Sequence, residues 1–228
     1  LELNEAYVGL RYDTVFSGIT TSNIKFHQEE VQKVIDGLKG KLIIKYYPTR
    51  SASVNTLAAH LKQMEIQEIK PDVVIVDYAD ILKPTTFYKE KRHATGETYE
   101  NLRGMAGEFD IPIWTASQAN RSSLEEEIID ASKVSEDYSK VMTADFVMSV
   151  SRKVEDKIAN TGRVHVIKNR FGIDGITFPA EINTNTGNIQ VYEASTQGGK
   201  TTQGKMDNSE EYLRQTLSKK YKDMGGFE

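Results

Sequence analysis

The stretch Asp72-Val-Val-Ile-Val-Asp77-Tyr78 decides the fold of this chain. A short run of β-branched apolar residues is typical of a buried strand in a parallel sheet. The acid that ends the run then lies at the carboxyl edge of the sheet, where open α/β folds bind their ligands. A second run, Ile111-Pro-Ile-Trp-Thr-Ala-Ser117, is followed in the same way by Gln118. We therefore expect an α/β fold with Asp77 and Gln118 at one edge of its sheet.

Short apolar runs alternate with longer helix-like stretches along most of the chain, which is typical of βαβ units and a mainly parallel sheet. The predicted buried strands are Lys41–Tyr46, Val73–Asp77, Ile111–Ser117, Phe146–Ser151 and Arg163–Lys168. The predicted helices are Glu5–Phe16, His27–Leu38, Asn55–Ile66, which Ser51 or Ser53 caps, and Tyr99–Phe109. The runs Ile176–Ile182 and Asn188–Tyr192 flank a turn ending in glycine, and they predict an antiparallel hairpin at a sheet edge.

The composition changes after Glu193 and divides the chain. Residues 1–193 carry the alternating pattern and predict one α/β domain. Residues 194–208 are small and polar without an apolar period, which predicts a flexible linker. Residues 209–228 contain a predicted helix, Ser209–Lys222, whose acids and lysines suit the helix dipole. Because the chain opens at Leu1 without an initiator methionine, we expect it to be a piece of a longer polypeptide.

The composition excludes several classes of protein. The 228 residues include 29 Lys and Arg, 33 Asp and Glu, 4 His and no Cys, with a net charge of −4. The lack of cysteine excludes disulfides and thiol chemistry, and the spacing of the histidines does not favour a zinc site. No apolar run approaches the roughly 20 residues of a membrane span. The charge excludes a uniformly basic surface for nucleic acid, but it leaves room for a local basic channel.

Asp77 and Gln118 have the chemistry of a nucleotide site. A strand-end carboxylate holds Mg²⁺ in nucleotide-hydrolysing sheets, because Mg²⁺ prefers oxygen ligands and keeps several waters. An amide reaches a terminal phosphate or orients an attacking water. The alternatives are an aspartate that caps a turn and a glutamine that lies on the surface. An acid and an amide after consecutive parallel strands favour the nucleotide site over either alternative.

Two cations, Lys168 and Arg170, end the last predicted buried strand. They point to the same side if the strand continues, and Gly172 then allows a tight turn. Arginine offers phosphate a bidentate fork and lysine a point charge. The alternative is an edge strand whose cations discourage aggregation.

A basic segment, Lys83–Gly96, follows Asp77 in the sequence. It holds four cations, Lys83, Lys89, Lys91 and Arg92, against one acid, Glu90, and three interleaved rings, Phe87, Tyr88 and His93. Cations that track phosphates and rings that stack on bases are typical of single-stranded DNA binding. A second candidate DNA-binding loop, Arg121–Asp137, is acidic at Glu125–Glu127, so its candidate phosphate contacts are Arg121, Lys133 or backbone amides. The alternative is a mobile, solvated loop.

Taken together, these motifs resemble the ATPase domain of DnaB-like replicative helicases, and most of all the members of that family from T-even-type phages. The matching motifs are Leu1-Glu-Leu3, Val74-Ile-Val-Asp-Tyr78, Thr115-Ala-Ser-Gln-Ala-Asn-Arg121, Thr143-Ala-Asp-Phe146 and Lys168-Asn-Arg-Phe-Gly172. The resemblance covers residues 1–178. It implies a RecA-like fold, a ring hexamer, ATP and Mg²⁺ as cofactors, and translocation on single-stranded DNA with unwinding of duplex. It also implies a primase and a helicase loader as partners, and action in the cytoplasm of a phage-infected bacterium.

The resemblance also implies roles for five residues. Glu2 matches the glutamate that polarises the attacking water, and Asp77 matches the Mg²⁺-binding Walker B acid. Gln118 matches the sensor of the γ-phosphate. Lys168 and Arg170 match the basic pair that reaches the neighbouring subunit's site as an arginine finger in trans.

The family's phosphate loop, G-x-x-x-x-G-K-[ST], does not precede Glu2 in this sequence. We expect it before Leu1, and we expect this chain alone to be inactive in ATP hydrolysis. Ala194-Ser-Thr-Gln-Gly-Gly-Lys-Thr201 satisfies a looser form, but the apolar helix that a phosphate loop must open does not follow it. The alternative functions are a recombinase or clock-type ATPase with the same fold, and a non-catalytic assembly module.

Overall fold

The structure, a computed structural model, describes residues 3–86, 88, 91–119, 126, 128–131 and 138–193, with only the backbone of residues 91 and 92. Its helices are α1 (Glu5–Ser17), α2 (Gln28–Asp36), α3 (Val54–Ile66), α4 (Lys91–Phe109), α5 (Ser139–Thr143) and α6 (Val154–Ala159). Its strands are β1 (Val74–Val76), β2 (Ile113–Thr115), β3 (Phe146–Ser151), β4 (Thr161–Asn169), β5 (Thr177–Asn183) and β6 (Asn188–Val191). Single 3-10 turns lie at Ile24–Phe26 and Ala79–Ile81.

Polar caps fix the starts of the first and third helices. The Asn4 side chain accepts a hydrogen bond from the amide of Tyr7 at 3.0 Å, and α1 ends at Gly18, whose φ is 70°. The Ser53 side chain accepts from the amide of Thr56, so the second of the two proposed serine caps is the one used. Hydroxyl and amide side chains at these positions replace the hydrogen bonds that the first helical turn lacks.

Strands β1 and β2 pair in parallel, with Val74 opposite Ile113 and Val76 opposite Thr115. Helices α3 and α4 cover one face of this pair, and the core between them contains Leu61, Met64, Val76, Leu102, Met105 and Phe109. The other face is open in the described structure, since Ile75 is 63% exposed. The strand around Asp77 is therefore confirmed, but it is buried on one face only.

The remaining strands form a second sheet in the order β3-β4-β5-β6, and every pair in it is antiparallel. The predicted hairpin is confirmed as β5 and β6. The antiparallel part extends further than expected because the connection from β3 to β4, residues 152–160, is shorter than the roughly twelve residues that a parallel crossover needs. The α/β class is confirmed.

The predicted buried strand Lys41–Tyr46 is wrong. These residues carry no regular element, and Leu42 and Ile43 are exposed. The amide of Tyr46 donates to Glu5 Oε1 at 2.9 Å. Its acceptor is therefore a side chain and not the backbone carbonyl of a neighbouring strand. An apolar run has the side chains that favour a strand, but a strand forms only when its backbone pairs with another segment.

Helix α4 begins at Lys91, eight positions before the predicted start at Tyr99. The predicted basic loop is thus wrong in its second half, because residues 91–96 form the first turns of α4. Ala94 and Thr95 are buried there, which an open loop would not allow. The predicted linker 194–208 and helix Ser209–Lys222 lie outside the described residues. Within the described part of the chain, no helix is both long and apolar enough to cross a bilayer.

Asp156 in α6 fixes the connection between β3 and β4. Its Oδ2 pairs with Arg163 Nη1 at 2.7 Å and accepts from the amide of Lys153 at 2.8 Å, while its Oδ1 accepts from Thr161 Oγ1 at 2.9 Å. Burial raises the pKa of the Asp156 carboxyl, but the Lys153 amide, Arg163 and Thr161 outweigh burial and hold it below its usual value.

Asp156→Asn is expected to lower the free energy of unfolding by about 2–3 kcal/mol at neutral pH, because Arg163 and two donors lose a charged partner. A carboxyl whose pKa is lower in the folded state stabilises the fold at pH values above its unfolded pKa of about 4. This stabilisation is lost as the pH falls through the folded pKa. Urea unfolding at several pH values should therefore show a gap between wild type and variant that is constant near neutrality and closes in acid. The neighbouring exposed Glu155→Gln is the control and should show a gap below about 1 kcal/mol, since it removes only a charge at the helix start. A gap for Asp156→Asn that persists in strong acid contradicts the assignment.

Candidate active site at the carboxyl ends of β1 and β2

The parallel pairing of β1 and β2 brings Asp77 and Gln118 to one edge, which we call the acid–amide edge. Gln118 Nε2 donates to the hydroxyl of Tyr78 at 3.2 Å, next to Asp77 in the chain. Thr115 Oγ1 donates to the carbonyl of Val76 at 2.9 Å and accepts from the amide of Ala79 at 2.9 Å, so it ties the two strand ends together. Asp77 and Gln118 are both exposed, and the peptide bond between Asp77 and Tyr78 is cis. The hydrogen bond from Gln118 to Tyr78 places the two strand ends next to each other, while the roles of Asp77 and Gln118 stay predictions.

Beneath this edge lies a cluster that the sequence analysis missed, which we call the Asp80 cluster: Asp80, Tyr99, Ser117 and Lys140. Lys140 Nζ lies 3.0 Å from Asp80 Oδ2 and 3.0 Å from Ser117 Oγ, and the lysine side chain is 3% exposed. Ser117 Oγ donates to Asp80 Oδ2 at 3.1 Å, and the Tyr99 hydroxyl donates to Asp80 Oδ1 at 2.9 Å. Burial, followed by the charge of Asp80, raises the pKa of the Tyr99 phenol. The phenol therefore stays protonated and remains a donor.

The cations Lys168 and Arg170, which we call the cation pair, lie at the end of β4. Lys168 Nζ donates to the carbonyls of Val141 at 2.9 Å and Met142 at 2.8 Å, at the end of α5. Arg170 Nη1 lies 2.7 Å from Asp145 Oδ1 in a partly exposed ion pair. Burial, and after it the positive charge of Arg170, lowers the pKa of the Lys168 amine. The strand ends at Asn169, so Arg170 belongs to the turn that follows.

Asp145 also pairs with a second arginine, which no sequence pattern predicted. Arg103 in α4 places its Nη2 3.0 Å from Asp145 Oδ1, and its Nη1 donates to the carbonyl of Thr143. No hydrogen bond or ion pair in the described structure joins the cation pair to Asp77 or Gln118. Helix α5 contacts both the cation pair and the Asp80 cluster, which adjoins the acid–amide edge at Ser117.

Asp77 is the candidate metal ligand. No group of three or more His, Asp or Glu side chains among the described residues is placed to hold a metal. A single carboxylate still fits Mg²⁺, because that ion completes its shell with waters and nucleotide phosphates. Glu2, the candidate that would polarise water, lies outside the described residues.

Most of the predicted DNA contacts lie outside the described structure as well. Lys89 and Arg121 are not described, and only the backbone of Lys91 and Arg92 is, at the start of α4. Of the interleaved rings, Tyr88 is 39% exposed and lies 6.4 Å from the exposed His93 ring. The DNA-binding surface stays a prediction.

Comparisons with known proteins agree with this geometry. Residues 8–183, more than half of the chain, match the family described as "DnaB-like helicase C terminal domain". A DnaB-like replicative helicase of Enterobacteria phage T4 is 31% identical over 137 residues. The match covers 58% of this chain and 29% of that protein, so the chain spans less than a third of the length of its curated relative.

Two solved structures share the fold. One is described as "ATPase Domain of G40P", with a TM-score of 0.71 and 19% identity over 84% of this chain and 72% of that one. The other is described as the structure of a DnaB-like replicative helicase and its interactions with primase, with a TM-score of 0.70 and 19% identity. It covers 82% of this chain and 48% of that one. At this identity the likeness concerns the fold, which is that of a helicase ATPase domain.

Proposed function

Since the chain belongs to the DnaB-like helicase C-terminal domain family, we propose that it is the motor part of a phage-type replicative DNA helicase, which translocates on single-stranded DNA and unwinds duplex with ATP. The observation that carries this proposal is the parallel pairing of β1 and β2, which brings an acid and an amide to one sheet edge. An acid for the metal and an amide for the terminal phosphate or water are what hydrolysis of a nucleoside triphosphate needs at such an edge.

In this proposal Asp77 holds Mg²⁺ on the phosphates of ATP, and Gln118 senses the γ-phosphate. Glu2 polarises the attacking water. The exposure of Asp77 and Gln118 supports these roles, because both must reach a ligand that arrives from solvent. Mg²⁺ would neutralise charge on the β- and γ-phosphates, while the residues of this chain orient the ion and the water.

The cation pair acts on the site of a neighbouring subunit, as an arginine finger in trans. No hydrogen bond or ion pair among the described residues joins Lys168 or Arg170 to the acid–amide edge of the same chain, and Arg170 is 40% exposed. Charge that accumulates on the transferred phosphoryl group requires cations from more than one side. A ring hexamer supplies them, because each subunit then completes the site of the next.

The fold has a place for the strand that leads into a phosphate loop. Strands β2 and β3 lie in separate sheets, and the exposed rings of Trp114 on β2 and Phe146 on β3 are 5.9 Å apart. We place the strand that leads into the phosphate loop between β2 and β3, where both strands have an edge without a partner strand in the described structure. Without that loop, the 228-residue chain is expected not to hydrolyse ATP.

A strand-displacement assay with the full-length protein tests the function. We expect ATP- and Mg²⁺-dependent release of a labelled strand from a forked duplex, and no hydrolysis by the 228-residue chain used as control. Hydrolysis with filament formation and no displacement would favour the recombinase or clock-type alternative. Neither hydrolysis nor nucleotide binding by the full-length protein would leave the assembly module as the better interpretation.

Primase and a helicase loader are the proposed protein partners. One solved relative is described with its primase interactions, which supports the first of them. A loader is proposed because a closed ring cannot pass onto DNA that has no free end.

The basic segment after Asp77 is the proposed contact with single-stranded DNA. Replacing Lys89, Lys91 and Arg92 by alanine is expected to reduce the slope of log K against log salt by about 2, since each lost phosphate contact on a single strand is worth about 0.7. Fluorescence anisotropy with a labelled oligonucleotide at several salt concentrations measures the slope. Alanine at three exposed lysines elsewhere, Lys33, Lys39 and Lys70, keeps the net charge change equal and should leave the slope unchanged. An unchanged slope in the first triple variant would remove the segment from the DNA-binding surface.

A further inference from the structure

Helix α5 contacts both the Asp80 cluster, which adjoins the acid–amide edge, and the cation pair. At its start, Lys140 enters the Asp80 cluster and pairs with Asp80 and Ser117. At its end, the carbonyls of Val141 and Met142 accept from Lys168. Ser117 directly precedes Gln118 in the chain, so one short helix touches a neighbour of the sensor and a member of the cation pair.

The position of α5 depends on these contacts. It has five residues, and an isolated helix of that length is not stable in water. Its buried residues are Lys140 and Val141, and the lysine is held by an ion pair in which the Asp80 side chain is 12% exposed. The Asp80 cluster is therefore one of the contacts that hold α5 in place, together with the donation from Arg103 Nη1 to the carbonyl of Thr143, and we expect a shift of Ser117 or Asp80 to move the helix.

The end of α5 in turn determines where the cation pair lies. The last carbonyls of a helix lack partners within the helix, and here Lys168 donates to two of them. Asp145, just beyond α5, pairs with Arg170 Nη1 at 2.7 Å, and its carbonyl accepts from the amide of Arg170 at 2.9 Å. A movement of α5 therefore changes the position of both cations.

We propose that α5 couples the acid–amide edge of a subunit to the cation pair that the same subunit presents to its neighbour, with Lys140 as the positioning residue. This inference rests on the proposed function, because it assigns the coupling to ATP hydrolysis in a ring. Lys140 touches no reacting atom in this scheme. It acts through Lys168 and Arg170, and so its effect appears in the transition state at the next site.

A double-mutant cycle in the full-length protein tests the coupling. Lys140→Met is expected to lower kcat for ATP about tenfold, with KM unchanged, because the finger acts in the transition state. In a Lys168→Ala/Arg170→Ala background the same substitution should lower kcat by less than about twofold, since both groups that it positions are already absent. Lys157→Met, at an exposed position of α6, is the matched control and should leave kcat unchanged in both backgrounds.

Each outcome decides between coupling and a merely structural role. If Lys140→Met lowers kcat equally in both backgrounds, or does not lower it in a parent protein that hydrolyses ATP, the inference is overturned. The proposed function then stays intact. A parent that does not hydrolyse ATP would overturn the proposed function, and the inference with it. If Lys140→Met lowers the melting temperature because Asp80 is left buried and unpaired, the pair Asp80→Asn/Lys140→Met removes both charges and is put through the same cycle.

Discussion

Asp77→Asn in the full-length helicase is expected to abolish ATP hydrolysis while the fold stays intact. Asparagine has the shape of aspartate but carries no charge, so Mg²⁺ loses its ionised ligand on the protein. Several kcal/mol of charge stabilisation through the metal correspond to a loss of roughly 10³-fold in kcat. Because Asp77 is exposed and follows β1, the substitution leaves the core beneath the strand unchanged. Steady-state hydrolysis with Mg²⁺ and a thermal melt measure the two halves of the prediction.

The matched control for this substitution lies just before the same strand. Asp72→Asn removes the same charge from an exposed aspartate at the opposite end of β1, away from the carboxyl edge. It should retain hydrolysis at nearly the parent rate. Turnover that survives Asp77→Asn, or falls equally in both variants, would contradict a metal-binding role for Asp77 in particular.

The strands that carry this site were predictable because each has the apolar pattern of a buried strand and each also finds a partner strand in the fold. The apolar runs that became β1 and β2 are each other's neighbours, and parallel strands necessarily end at the same edge. The run Lys41–Tyr46 has the same local pattern, but its backbone lacks a strand partner in the described structure, and Leu42 and Ile43 are exposed. Periodicity states which residues prefer a strand, whereas hydrogen bonding to another segment decides whether one forms.

The Asp80 cluster shows why the rest of the site was not predictable. Asp80 and Lys140 are 60 positions apart, and neither belongs to a spacing that signals a pair. Helix α5, which carries Lys140, is too short for an apolar period to be recognised. Its position comes from ion pairs and hydrogen bonds between distant segments, and a single sequence does not record which distant charges meet.

Arg170→Ala in the full-length helicase is expected to lower kcat by at least about 10³-fold with KM for ATP nearly unchanged, because an arginine finger stabilises charge that develops only in the transition state. Arg103→Ala is the matched control, since Arg103 pairs with the same Asp145 at similar exposure. If the ion pair with Asp145 were all that Arg170 contributes, the two variants would lose activity equally. We expect the control to lose less than about tenfold.

Mixing two inactive variants then shows in which subunit Arg170 acts. A ring of Asp77→Asn subunits keeps its cations but lacks the proposed metal ligand. A ring of Arg170→Ala subunits keeps the metal ligand but lacks the arginine. If the cation acts in trans, an Asp77→Asn subunit completes the site of an Arg170→Ala neighbour, and an equal mixture recovers about a quarter of the competent interfaces. If it acts within its own chain, each subunit in the mixture still lacks one half of its site and hydrolysis stays absent. Because no hydrogen bond or ion pair joins Arg170 to Asp77 in the described part of the chain, we expect recovery, and a lack of recovery in rings shown to be mixed would place the finger in cis.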